Sequence, residues 1–200
     1  MSTRRNVLKI IGGSTAVAAA SAAGFVAANQ PSKAARAAWR TAGQETEFRR
    51  RALSYALLAP NPHNRQPWLA RLDGDNALTL YCDLGRRLPE TDPYDRQITI
   101  GHGAFLELLS MAAAHDGYRT AITPFPQGET MDTLDERPVA HVTFIEDDTV
   151  IPDPLFAHVL SRRSNKEVYK PEDVDAAALH EMVQTASAFG VAANAIGNTP

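Results

Sequence analysis

Apolar residues recur at helical spacing over residues 46–58, where Phe48, Ala52, Tyr55 and Ala59 share one face with Leu53 and Leu57 beside it. Arg49, Arg50 and Arg51 flank that face, and solvation is their expected state. Pro60 and Pro62 end the helix, because proline lacks the amide proton and clashes with the preceding turn. Two short apolar runs follow, Trp68 to Leu72 and Leu78 to Cys82. The Asp73-Gly-Asp-Asn-Ala77 break between them is a hairpin signal. Residues 85–97 (GRRLPETDPYDRQ) read as a polar loop. A strong helix is expected from about Gly103 to His115, with Phe105, Leu108, Leu109 and Ala112 on one face and Gly117 as its left-handed cap. Tyr118 to Thr123 and Val139 to Ile145 read as strands. Asp153-Pro154 is a helix start, with Leu155, Phe156, Val159 and Leu160 as its buried stripe. Asp175 to Ala188 forms another amphipathic pattern through Leu179, Met182, Val183 and Ala186, stopped by Gly190.

The order helix, hairpin, helix, strand, strand, helix, helix suits adjacent antiparallel pairs better than repeated βαβ units, so the predicted class is α+β. No glycine-rich phosphate loop is present, and the GHGAF at 101–105 lacks the spacing of a dinucleotide fingerprint.

Composition narrows the chemistry. With 44% hydrophobic and 22% charged residues, the 200-residue chain has the balance of a globular protein and not of a disordered one. A net charge of −3 offers no basic field for nucleic acid. Cys82 is the only cysteine, which excludes an intrachain disulfide and a cysteine-based zinc site. The six histidines are scattered without the helical spacing of paired metal ligands, and no metal site is expected.

The opening segment reads as an address. Arg4 and Arg5 precede Val7, Leu8 and Lys9, and an uncharged stretch rich in Ala, Gly and Ser runs to Ala28. This resembles a twin-arginine export signal over residues 1–28, with the export machinery as partner and a periplasmic or cell-envelope location. Cleavage near Ala28 and retention as an uncleaved anchor are both open. Residues 29–44 read as a linker leading into a helix. Twin-arginine export carries folded proteins, often with a cofactor already inserted, so such a signal favours a tightly held cofactor without naming it.

Two segments carry candidate chemistry. APNPHNRQPW, residues 59–68, holds Asn64 and Gln66, each with an amide donor pair and an acceptor. In extended chain these two side chains would point the same way. The prolines reduce the entropy lost when a ligand orders the segment. A planar heteroaromatic such as an isoalloxazine or a nucleobase suits such an edge. A plain helix-to-strand turn with Trp68 in the core suits the same residues equally well. The second segment, Ser161 to Lys166 (SRRSNK), combines cations with a hydroxyl that together would hold a phosphate. The alternative is a solvated helix end with arginine near terminal carbonyls.

APNPHNRQPW resembles the A-P-S-x-x-N-x-Q-P-W segment of the nitroreductase family, and residues 80–118 resemble the exported, Acg-type branch of that family. Arg162, Ser164 and Lys166 match its R-x-S-x-R/K phosphate motif. The resemblance implies a nitroreductase-like α+β fold, a mostly antiparallel sheet flanked by helices, with FMN as cofactor. Asn64 and Gln66, and also Asn61, would contact the ring system and ribityl chain, and Arg162, Ser164 and Lys166 the phosphate. Asn61 and Pro62 stand where the family has small serines. The amide motif precedes the phosphate motif, the reverse of simple nitroreductases, as in a branch with two fused units. The implied organisation is a first unit over residues 45–150 and the start of a second, incomplete unit over 151–200. The resemblance implies hydride transfer from a reduced nicotinamide, NAD(P)H, to a small electron-poor acceptor such as a nitroaromatic or quinone. The flavin carries that chemistry, so no catalytic protein residue is named. Because dimer partners share each flavin in simple nitroreductases, a homodimer is left open. Nicotinamide donors are scarce outside the cytoplasm, which makes a non-catalytic flavin-binding or flavin-storage protein the alternative.

Overall fold

Strands β1 (Trp68–Asp73) and β2 (Ala77–Cys82) form the hairpin that the Asp-Gly-Asp-Asn turn predicts, with Gly74 at a φ of +51°. Glycine accepts that left-handed angle without the steric cost of a side chain. In the computed structural model the described residues are 21, 24, 25, 36–129, 132–165, 167, 168, 170 and 172–195. Apart from residues 21, 24 and 25, the segment 1–28 read as an export signal lies outside them. No helix among the described residues is long and apolar enough to cross a membrane.

The sheet continues with β3 (Tyr118–Pro124) and β4 (Ala140–Glu146), and its order is β1-β2-β4-β3, antiparallel throughout. The fold class is therefore α+β, compatible with a nitroreductase-like fold. Helices α1 (Ala37–Thr41) and α2 (Phe48–Ala56) precede the hairpin, and α3 (Arg96–His115) links it to β3. Leu78, Leu80, Ala140, Val142 and Phe144 from the strands meet Ala52, Ala56, Phe105, Leu109 and Ala112 from α2 and α3 in one core. Phe48 of α2 stacks on Tyr118 at 4.2 Å between centroids and meets Phe144 edge-on at 5.4 Å. Cys82 is buried beneath a smaller cluster with Ile98, Leu134 and Val139. Burial pushes its thiol up to about 12, so it is a packing residue without thiolate reactivity at neutral pH.

Three expectations are corrected. Helix α3 begins at Arg96, a full two turns before Gly103. Arg50 is exposed as expected, but Arg49 is buried and Arg51 half-buried, and both are held by partners. The Arg49 Nη1 donates to the carbonyls of Asp73 (3.3 Å), Gly74 (2.8 Å) and Ala77 (3.1 Å), fastening α2 to the hairpin turn. Arg51 pairs with Asp116 at 2.6 Å beyond the end of α3. Turn carbonyls left without ladder partners need donors, and a guanidinium offers several at once. Finally, the Asp153-Pro154 start produces only a 3-10 turn, Pro154–His158, capped by Asp153. Phe156 packs against Tyr55 and His115, and Val159 is buried, while Leu155 and Leu160 are exposed.

The chain forms two compact units, residues 1–162 and 163–200. The second contains α4 (Ala176–Ala188), whose Asp175 side chain accepts from the Ala177 and Ala178 amides. None of the residues of α4 is buried.

Candidate functional site

The amide segment leaves α2 through Leu58 and becomes a tight loop. Its centre is a 3-10 turn, Pro62–Asn64. His63 (φ 49°), Asn64 (φ 52°) and Gln66 (φ 49°) are all left-handed, three of the five non-glycine residues of that kind among the described residues. The expected extended run is thus replaced by a coiled one. Asn tolerates this region. His and Gln do so at a cost, and Gln66 also stands before a proline, where extended backbone is preferred. Strain of about 1–3 kcal/mol per residue persists only where surroundings over-determine the conformation, and it gathers at ligand sites.

The surroundings here do so. Asn61 braces the loop from within: its Oδ1 accepts from the Gln66 amide at 2.7 Å, and its Nδ2 donates to the Ala59 carbonyl at 3.1 Å. One donor and one acceptor site of that amide stay open. Helix α3 presses against the loop at Gly101, where a β-carbon would sit 3.2 Å from the Asn61 Cβ. Any larger residue would push on the brace. Below, Trp68 is buried in the core, 5.0 Å from the Phe105 ring, as the packing reading expects. Fully buried His102 lies edge-on to Trp68, with Nδ1 against the Ile98 carbonyl at 2.9 Å. Burial pushes its imidazole below the ordinary value and outweighs the opposing pull of the Ile98, Tyr81 and Pro67 carbonyls and of Asp95.

The side chains of Asn64 and Gln66 have no hydrogen-bond partner among the described residues. Asn64 is exposed and Gln66 half-buried. Both amides are therefore whole, and they are carried on a loop whose backbone is fixed. Arg162 reaches the base of the same loop, donating from Nη2 to the Leu58 carbonyl at 2.8 Å and lying 5.8 Å from the centroid of the Trp39 ring. Leu58 lies just beyond the end of α2, so Arg162 serves a distant part of the chain and not a solvated helix end of its own segment. Ser164 is exposed in the second unit, and Lys166 lies outside the described residues. Asn61, Asn64 and Gln66 thus share one loop, and Arg162 touches the chain at Leu58, just before that loop.

Sequence reasoning missed an ordered carboxylate group in the supposed polar loop. Asp92 accepts from the Ile98 amide at 2.9 Å, which caps α3. Asp95, fully buried and left-handed at φ 51°, pairs with Arg87 at 2.7 Å and accepts from the Leu134 amide at 2.9 Å. The signal was the Asp-Pro-Tyr-Asp run before Ile98, an N-terminal helix signature.

No protein-family model matches the chain. It is similar to three proteins of Mycobacterium tuberculosis. "Uncharacterized protein Rv3127" is 35% identical over 98 residues, 46% of this chain and 28% of that protein. "Putative NAD(P)H nitroreductase Rv3131" is 28% identical over 159 residues, 78% of this chain and 44% of that protein. "Putative NAD(P)H nitroreductase acg" is 33% identical over 81 residues, 40% of this chain and 24% of that protein. The chain spans less than half the length of each. It is a distant homologue of proteins that carry the nitroreductase name.

Proposed function

We propose that the chain acts in a nitroreductase-type oxidoreductase that uses FMN, with NAD(P)H as donor and a nitroaromatic or quinone as acceptor. The observation that carries this reading is the pair of whole amides, Asn64 and Gln66, held on a strained and braced loop at the place where the N-x-Q-P-W motif falls. When bound, the flavin would supply the two-electron chemistry. The chain's own residues bind and orient. Asn64 and Gln66 offer donors and acceptors to a planar heteroaromatic edge, and Asn61 keeps them presented. Arg162 contributes a cation at the loop's base, and the motif assigns Ser164 and Lys166 to the phosphate with it. Export by the twin-arginine route and assembly as a homodimer belong to the same proposal.

The test is the visible spectrum of the isolated protein, followed by FMN titration and oxidation of reduced nicotinamide with a nitroaromatic or quinone acceptor. The double change Asn64→Ala with Arg162→Ala should weaken FMN retention at least about tenfold, as the loss of hydrogen bonds to a charged ligand implies. Unchanged retention rejects the site. Flavin held without oxidation of reduced nicotinamide would assign storage in place of turnover.

A further inference from the structure

The turn Leu84–Arg86, just after β2, grips the amide loop by a reciprocal exchange. Arg65 donates from Nε to the Arg86 carbonyl at 2.9 Å and from Nη2 to the Gly85 carbonyl at 3.2 Å. Arg86 answers from Nη1 to the Arg65 carbonyl at 3.0 Å. Asp83 holds Arg86 in place, accepting from its Nε at 3.1 Å and from the Gly85 amide at 3.1 Å. The Asp83 amide in turn donates to the Pro67 carbonyl at 2.7 Å. Two like charges are brought to one spot, and each is spent on the other's backbone. Such an arrangement does little for the core, since the Arg86 side chain is 51% exposed and its partner Asp83 33%. It does fix residues 65–67, the stretch that carries Gln66 in its left-handed conformation.

We infer that Asp83, Arg86 and Arg65 are positioning residues: their clasp keeps the Asn64 and Gln66 amides in the ligand-receiving arrangement before any ligand arrives. Three left-handed residues in a four-residue span have many alternatives of lower backbone strain. Without the clasp the loop would spend most of its time in those alternatives, and a ligand would pay for their exclusion. If the receptive fraction falls to about a tenth, the apparent Kd rises about tenfold. The effect differs from simple attraction of an anion by two arginines, which any cation would supply. The inference rests on the FMN reading for its ligand, but the clasp itself is observable without one.

The experiment compares Arg86→Ala and Arg86→Lys with the unaltered chain. The amides of Asn64, Arg65 and Gln66 are bonded to the Asn61 carbonyl, the Pro62 carbonyl and the Asn61 side chain, so they report loop order directly by hydrogen exchange. The clasp predicts faster exchange at these amides in Arg86→Ala, with unchanged protection in β1 and β2, and FMN binding weaker by about tenfold. Arg86→Lys should resemble Arg86→Ala, because one ammonium cannot reproduce the two directed guanidinium bonds. Unchanged loop exchange in Arg86→Ala overturns the clasp. Faster exchange with undiminished FMN affinity overturns its positioning role, and full rescue by lysine assigns the arginine to charge alone. If the unaltered chain takes up no FMN, the flavin reading and the positioning role fail together, while the exchange data still decide whether the clasp orders the loop.

Discussion

Helices α3 and α4 carry the same kind of amphipathic stripe and have opposite environments. In α3 the apolar face is covered: Phe105 and Leu109 are fully buried in the core with the sheet and α2, and Ile98 is fully buried in the smaller cluster with Cys82, Leu134 and Val139. In α4 the stripe of Leu179, Met182, Val183 and Ala186 stays open and borders a hollow of about 280 Å³ with residues 193–195, within the second unit. Both helices follow from periodicity and from an aspartate before the first turn. The difference shows that a hydrophobic period specifies a helix and a face but does not specify what covers it. Stability should therefore be concentrated in one helix and nearly absent from the other, although the two patterns look alike on paper.

The most severe break in that contrast is Phe105→Ala. Its ring is fully buried against Trp68 and the strands, and removal leaves a cavity that the surrounding elements cannot fill. A loss of about 3–5 kcal/mol is expected in denaturant unfolding of the first unit, followed through Trp68 fluorescence. A loss under about 1 kcal/mol would mean that α3 is not the central support of the core.

A smaller effect separates the two helices by pH. His102 is on the covered face of α3, and burial holds its folded pKa below the ordinary value. Between the folded pKa and about 6.5, the unfolded chain binds a proton that the folded chain refuses. Stability contributed by neutral His102 is thus complete above about 6.5 and falls as the solution is acidified through that value, by at most ~1.4 kcal/mol per pH unit for one proton. His102→Gln should flatten the profile of stability against pH between 6.5 and 5. An identical slope in both proteins would place a proton acceptor or water beside the ring.

How much of this was readable beforehand depends on where the determining contact lies. The hairpin was legible because Asp73-Gly-Asp-Asn encodes its own turn, and Gly117, at φ +83°, caps α3 as expected for the same local reason. The start of α3 was not legible. Residues 85–97 read as a polar loop and the sequence pattern places the helix from about Gly103, yet Gly101 lies within α3 and is small where Asn61 packs against it from a loop forty residues earlier. Arg49 and Arg51 looked like surface charges because their acceptors, the hairpin-turn carbonyls and Asp116, are distant in sequence. In the candidate site, the residue types of the amide loop were visible. Its left-handed backbone was not, because it is imposed by Asn61 folding back on Gln66 and by Arg86, which local propensity does not encode.

The smallest effect tests the uncovered side of the contrast. Met182 is 66% exposed in the middle of α4, and glutamine has nearly the same helix propensity and length. If the stripe is open in solution, Met182→Gln removes no burial, and the helix should lose no more than about 0.5 kcal/mol, or roughly a twofold change in amide exchange along α4. If instead the side chain is covered in solution, the substitution puts an amide into an apolar contact. The loss should then approach 2 kcal/mol or more, because the polar group must be desolvated without a partner. Measuring the exchange at two protein concentrations sharpens the result. Protection that depends on Met182 and rises with concentration assigns the cover to a second copy, and concentration-independent protection assigns it to this chain. The comparison between the helices survives only if the glutamine is tolerated at both concentrations.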